Sequence, residues 1–393
     1  MQTLPLTDQE LAAWLQLSTA PGLNPAALRR LLAAFGLPEA VLSQTFAALA
    51  EVAGEAIARA ALAPPPADFP VQLDAVRCWR ESPGNVLVTL DDPAYPPLLL
   101  TMPDPPPLLY VKGRVELLHA RSIAVVGSRS ATPQGIEDAT RFARAFADAG
   151  LTVVSGLASG VDGAAHRGAL QGRGSTVAVI GTGADLVYPS SHHALAHQIA
   201  GHGALVSEWP LGTPARSANF PQRNRLIAGL VGGVLVVEAA MRSGSLITAR
   251  FANEMGRDVF AIPGSIHAPL ARGCHRMIKQ GAKLVETPED VLEELGFAAG
   301  PQPPAPAQAP RLRAVAKTPQ GEAGTPPENG APVPAEARRL LDALGHAPAT
   351  LEILAERTDM DDTLLQSTLL RLELAGELCA LPGGRYVRAA HSG

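Results

Sequence analysis

Apolar residues recur at helical spacing at the start of the chain. Leu11, Trp14 and Leu15, then Leu28, Leu31, Leu32 and Phe35, each mark one face of a helix. Between them, Ala20-Pro21-Gly22-Leu23-Asn24-Pro25 reads as a turn followed by a helix start. The pair predicts a helix-hairpin-helix (SAM-like) unit over residues 1–65, closed by Pro64-Pro65-Pro66. Hairpin amides in such a unit can face a phosphate, but Asn24 stands where a second glycine would open that surface. A purely structural cap is the equal alternative. Residues 68–120 are proline-rich and read as irregular, with one extended run at 108–111 leading into a sheet.

From Ser122 the pattern changes to short apolar runs alternating with helical stretches. The runs are 123–126, 151–154, 176–180, 205–206, 234–237 and 259–262. Several lack polar alternation, as strands covered on both faces do. Helical stretches at 136–149, 163–170 and 246–255 separate them. The alternation predicts a doubly wound α/β domain with a mostly parallel sheet over 66–297. Residues 301–334 hold ten prolines in 34 positions, so 298–334 reads as a linker. Beyond it, 335–390 offers helices followed by a short hairpin around Pro382-Gly383-Gly384, the pattern of a winged helix. Its recognition helix, 361–375, carries Asp361, Asp362 and Glu373 against a lone Arg371. Such a helix is a poor reader of a negatively charged groove, so a protein partner or weak DNA binding is expected.

Composition narrows the class. A chain of 393 residues, 47% apolar and 18% charged, can bury a sizeable core. Cys78, Cys274 and Cys379 lie far apart without CxxC spacing, which argues against a disulfide framework or a thiolate metal site. Asp8 and Glu10 stand where a signal peptide would be apolar. The strongest apolar run, 226–237, is too short to span a bilayer. A cytoplasmic location without a membrane span is expected.

The net charge of −5 is unevenly spread. Residues 1–120 carry 7 basic and 12 acidic side chains, 121–283 carry 16 and 9, and 284–393 carry 9 and 16. The middle is the basic part, and 14 of its 16 cations are Arg, whose planar fork matches phosphate oxygens. Arginine preference throughout the chain is the bland explanation.

In an open parallel sheet, ligands bind beyond the carboxyl ends of the strands. Four predicted strands end in Gly/Ser loops: Gly127-Ser128-Arg129, Ser155-Gly156-Leu157-Ala158-Ser159-Gly160, Gly181-Thr182-Gly183, and Ser243-Gly244-Ser245 beyond Glu238. One such loop is most simply a tight turn. Four side by side would make a trough of amides and hydroxyls suited to successive phosphates. There is no GxxxxGK[ST], and Leu186 stands where GxGxxG needs glycine, so neither a P-loop nor a dinucleotide cofactor is expected.

The densest polar cluster, residues 216–225, joins Arg216, Asn219, Phe220, Arg223, Asn224 and Arg225. Arginines suit phosphates, and a phenyl face suits an unpaired base. Equally, Phe220 could fill the core while the arginines pair with Glu208 and Glu238. Asp162 and His166 lie four apart, on one helical face. A hydrolase could use them, but a helix-start acid beside its own amides and a packed imidazole explain them better. His192, His193 and His197 sit near no carboxylate cluster, so no metal is expected.

The ordered set of motifs resembles the DNA-processing protein A (Smf) family. It comprises Val125-Val126-Gly127-Ser128-Arg129, residues 155–162 with Ala165-His166, Gly181-Thr182-Gly183 with Tyr188-Pro189, residues 220–225 and residues 243–249. The resemblance spans about residues 90–295. It implies an extended Rossmann-like domain that binds single-stranded DNA, dimerises, and loads a RecA-type recombinase in natural transformation, without catalysis. It implies DNA contacts for Arg129, the Gly-Ser loops and the segment around Phe220 and Arg223. Some members carry Lys where Ser217 stands here, which leaves Arg216 as the substitute. Gly273-Cys274-His275 stands where Gly-Thr-Asn is common, in a region that contributes to the dimer. The rival expectations are a nucleotide hydrolase using Glu238 or Asp162 with His166, and an interaction scaffold to which DNA is incidental.

Overall fold

The structure, a computed structural model, describes residues 6–297, 335–345, 348–381 and 384–389. The expected linker 298–334 and the turn residues Pro382 and Gly383 lie outside the described residues. The chain divides into two compact units, Met1–Phe297 and Ala298–Gly393.

The first unit opens with helices α1 (Asp8–Thr19), α2 (Pro25–Phe35), α3 (Pro38–Leu42), α4 (Phe46–Ala53), α5 (Glu55–Ala61) and α6 (Phe69–Glu81). Thr7 and Glu10 form a reciprocal capping box on α1. The Asn24 carboxamide accepts from Ala27 N at 2.8 Å, so it occupies the α2 terminus that an anion would otherwise use. Leu17, Leu28, Leu31 and Leu49 close the core of this helical part.

The sheet follows: β1 (Asn85–Thr89), β2 (Leu108–Gly113), β3 (Ser122–Val126), β4 (Thr152–Ser155), β5 (Thr176–Val179), β6 (Ala204–Ser207), β7 (Gly233–Val236), β8 (Asp258–Ala261) and β9 (Lys283–Leu284). Its order is β1-β2-β6-β5-β4-β3-β7-β8-β9. β1, β2 and β6 pair antiparallel, and β6 through β9 are parallel. The region expected to be irregular before Ser122 thus contains α6 and the edge strand β1, beside β2, which holds the expected extended run at 108–111. Pro70 in the first turn of α6 is compatible with a helix, because the nitrogens there have no intrahelical acceptor.

Crossovers α7 (Pro133–Asp148), α8 (Val161–Ala169) and α9 (His193–His202) carry the chain outward from β3 to β6. Helix α10 (Asn219–Gly229) returns it to the far side of β3, where β7, α11 (Ser245–Glu254), β8, α12 (Arg272–Lys279), β9 and α13 (Pro288–Glu294) complete the layer. Strand side chains alternate between the two helical layers. Ile123 and Val125 pack with Phe142 and Ala165, and Ala124 and Val126 pack with Leu226 and Ala249. The reversal of winding direction falls between β3 and β7, which leaves a crevice beyond their carboxyl ends.

The second unit has α14 (Ala335–Leu344), β10 (Ala349–Thr350), α15 (Leu351–Thr358), α16 (Asp362–Leu374), β11 (Leu378–Leu381) and β12 (Arg385–Arg388). Its three-stranded sheet runs β10-β12-β11, and Leu340, Leu354, Leu365, Leu369 and Leu378 form its core. Helices followed by this small sheet make a winged helix.

Candidate functional site

β5, β4, β3 and β7 are adjacent and parallel, so their four Gly/Ser loops share one edge of the sheet. A pocket of about 480 Å³ opens at the β3/β7 reversal. Gly127, Ser128 and Arg129 line it from β3, Ala158 from β4, Ser243, Gly244 and Ser245 from β7, and Phe220, Arg223 and Asn224 from α10.

The loops brace one another. Val161 N donates to Ser128 O at 3.1 Å. Gly160 has φ +76°, and a Cβ there would lie 2.2 Å from Ser128 O, so glycine is required on both counts. Asn224 Nδ2 donates to Gly244 O at 3.2 Å, and the Ser243 and Ser245 hydroxyls share a 2.7 Å hydrogen bond. Asn219 Nδ2 donates to Gly181 O at 2.9 Å, which ties α10 to the loop after β5. Ser155 is buried and donates to Val125 O, which ties β4 to β3. Ser159 is exposed, and Gly183 packs against the Pro210–Gly212 turn.

Phe220 is half-buried rather than part of the core. Its ring lies 5.4 Å from that of Tyr188 at a tilt of 38°, and the Arg129 guanidinium carbon lies 5.3 Å from its centroid. Arg129 and Tyr188 are both exposed. A cation and two aromatic faces therefore meet at the mouth of the pocket.

The other arginines are used differently. Arg223 is 3% exposed, with Nη1 donating to Val179 O at 2.6 Å and its guanidinium packed on the Gly156 backbone. Burial pushes its pKa down to about 10, and Asp162 opposes that shift. Arg225 is 6% exposed and points away from the pocket. It donates to the Asp104 carbonyl at 2.7 Å and pairs with Glu208, whose pKa burial pushes up to about 7 against the pull of Arg225. The structure thus makes Arg225 a brace, as the Glu208 alternative anticipated. Glu238 instead accepts from Thr132 N and Oγ1 at 2.9 and 2.6 Å. Arg216 is exposed but does not line the pocket.

Asp162 and His166 face inward. The Asp162 carboxylate accepts from Gly156 N and Ala158 N at 3.1 and 3.3 Å. His166 Nε2 accepts from Leu157 N at 3.2 Å, and Nδ1 lies 2.8 Å from Thr176 Oγ1. Burial, then the nearby cations, push the imidazole down to about 3. Both groups are committed to shaping the loop after β4. Among the described residues, no group of three or more metal-ligating side chains converges.

Two residues join the site without standing out in the sequence. Arg242 is exposed and lines the pocket beside Ser243. Its signal was its place directly before a Gly/Ser loop. Tyr188 stands out in the sequence only within Tyr188-Pro189, and nothing local announces its contact with Phe220. The exposed charged residues lining the pocket are Arg129 and Arg242, whereas the acid there, Asp162, is buried.

Comparisons with known proteins agree with this architecture. The family described as DNA recombination-mediator protein A matches residues 86–296, and the DprA winged helix domain matches residues 324–384. Protein Smf of Escherichia coli (strain K12) is 42% identical over 322 residues, which span 81% of this chain and 82% of that protein. DNA processing protein DprA of Streptococcus pneumoniae (strain ATCC BAA-255 / R6) is 48% identical over 226 residues, 58% of this chain and 80% of that one. The X-ray structure of DNA processing protein A from Streptococcus pneumoniae gives a TM-score of 0.62 at 37% identity, covering 74% of this chain and 99% of that chain.

Proposed function

The chain belongs to the DNA recombination-mediator protein A family, and from that premise we propose that it binds single-stranded DNA along the carboxyl edge of its sheet. In this reading it protects incoming strands during transformation and passes them to a RecA-type recombinase. The observation that carries the DNA site is the pocket at the β3/β7 reversal: backbone loops, two exposed arginines, and an aromatic pair at its mouth. Amides and hydroxyls of residues 127–129, 159–160 and 243–245 take phosphate oxygens, whereas the amides of Gly156, Leu157 and Ala158 are already held by Asp162 and His166. Arg129 and Arg242 supply charge, and Phe220 with Tyr188 stacks on unpaired bases. The exposed Arg216 extends the path past Phe220, while the buried Gly181 and Gly183 shape the loop beneath it, Gly183 N donating to Thr213 O. Arg223 and Asn224 hold the loops in place beneath it, and Arg225 anchors α10 to Asp104 and Glu208.

The assignment is to binding without catalysis, because Asp162 and His166 are already bonded to backbone and neighbouring groups. Homodimerisation through the first unit, in the region of Gly273-Cys274-His275, follows the family resemblance and is read by light scattering. Among the described residues, no helix is long and apolar enough to cross a membrane, which is compatible with a cytoplasmic site of action.

The test is fluorescence anisotropy with labelled oligothymidine. Phe220→Leu should cost about 1–3 kcal/mol, the usual value of one base–aromatic stack. Arg129→Ala should weaken binding and flatten the log–log salt dependence by about 0.7, the share of a single phosphate that is no longer neutralised. Unchanged affinity in both folded variants would remove the site assignment.

A further inference from the structure

A second cavity, of about 390 Å³, lies between α11 and α12. Both helices pack on one side of the sheet, where Leu246, Ala249, Cys274 and Met277 share a core cluster. Arg242 and Ser243 line this cavity as well as the DNA pocket, so the two adjoin at the loop after β7. From there the groove follows α11. Arg250 stands five residues past Ser245, about 7.5 Å further along the helix axis. Arg276 lines the groove from α12, and Arg257 and Asp258 line it where β8 begins.

The charges along this groove are unevenly matched. Asp258 is the acid that lines it, and Asp258 accepts from Lys283 Nζ at 3.1 Å. Lys283 also donates to Glu294 at 2.5 Å, so that cation is matched twice. Arg257 donates to Thr101 Oγ1 at 2.9 Å and is turned toward residues 98–101. Arg242, Arg250 and Arg276 are exposed, and among the described residues none of them has a carboxylate within ion-pair distance. Glu254, one turn beyond Arg250, neither pairs with it nor lines the groove. A cleft lined by unmatched charge of one sign concentrates counter-ions of the other, and guanidinium forks fit phosphate oxygens. Met241, Ile247 and Met277 line the same groove and offer apolar surface between the cations.

Taking the first pocket as a single-strand site, as proposed above, we infer that the groove between α11 and α12 is a second binding segment for the same strand, which passes Arg242 and lays its next phosphates against Arg250 and Arg276. A lone anion needs one fork. A row of cations that begins inside the DNA pocket suits a polyanion already held there. The apolar surface takes sugars and unpaired bases, so contact is to backbone rather than sequence.

The experiment measures anisotropy of the full chain with labelled oligothymidines of about 4 to 16 nucleotides, the usual range of single-strand site sizes. The variant is Arg250→Ala with Arg276→Ala. Both side chains are exposed and alanine favours a helix, so an unchanged melting curve is expected. The variant should match the wild type on the shortest strands and fall about tenfold behind it on the longest. Its log–log salt dependence on the longest strand should flatten by about 1.4, two phosphates at about 0.7 each. A variant that tracks the wild type at every length would overturn the inference while leaving the first pocket standing, provided that Arg129→Ala still weakens binding. Equal weakening at every length would also overturn it, because the arginines would then act only through the general field. Intact affinity in Arg129→Ala and Phe220→Leu at every length would remove the first pocket and this segment with it. A fall in assembly mass in the double variant would assign the groove to a second copy of the chain. Loss of binding to a labelled oligoglutamate peptide, with oligothymidine binding kept, would assign it to an acidic protein segment; either result overturns the inference.

Discussion

Replacing Arg223 by methionine separates a structural role from a ligand contact. Methionine keeps the unbranched stem and removes the guanidinium, so the packing change is small. The guanidinium takes with it a charged donor to the buried Val179 carbonyl. A hydrogen bond to a charged group contributes about 1.5–3 kcal/mol. Asp162, also buried, keeps its two backbone amides but loses the positive charge that partly offsets its desolvation. That coupling acts through space rather than by direct contact. We therefore take about 3 kcal/mol in total, the lower end of the range for a broken buried pair. For a unit of this size, that corresponds to a fall in melting temperature of roughly 5 °C. Differential scanning calorimetry on the wild type, Arg223→Met, Asp162→Asn and the double variant measures it. The double variant should cost less than the sum of the singles by about 1 kcal/mol. An Arg223→Met protein that melts like the wild type yet loses oligonucleotide affinity would refute the reasoning and make Arg223 a direct contact.

Three further outcomes follow from buried groups and tight backbone. His166 is neutral in the fold with a pKa of about 3, so the unfolded chain takes up its proton near the ordinary value of 6.5. Its contribution is fully present above about pH 6.5 and declines below it by up to about 1.4 kcal/mol per pH unit. Urea midpoints at pH 7.5 and 5 should differ more in the wild type than in His166→Gln, and equal differences would exonerate the imidazole. Cys274 is buried and its thiol is pushed up to about 12, whereas Cys78 and Cys379 are exposed. A disulfide reagent should therefore label two thiols quickly and the third only on unfolding; fast labelling of all three would contradict the packing at Cys274. Gly160→Ala would force a Cβ against Ser128 O at positive φ, and should cost roughly 1–3 kcal/mol and weaken oligothymidine binding together. A wild-type melting curve in that variant would show that the two loops are not braced there.

The parallel strands were legible because each is covered on both faces, and covered strands read as continuous apolar runs. The Gly/Ser loops were legible for a related reason. Once the strands are placed, their carboxyl ends follow, and the order β5-β4-β3-β7 puts the four loops on one edge. Helix α6 and the edge strand β1 were missed because prolines at 64–70 suggested irregular chain. Pro70 begins a helix instead. The roles within residues 216–225 were not legible. Arg223 and Arg225 look alike in sequence, yet helical geometry aims one under the Gly156 loop and the other at Glu208. Tyr188 was invisible as a site residue because its partner Phe220 is distant in the chain.

The most direct measurement is photocrosslinking of the full chain to oligothymidine carrying 5-iododeoxyuridine, with the attached peptides mapped by mass spectrometry. Crosslinks at Phe220 or Tyr188, suppressed by unlabelled single strands and by high salt, are the predicted result. Crosslinks confined to the amino end of the parallel sheet or to the winged-helix unit would contradict the placement of DNA at the β3/β7 crevice.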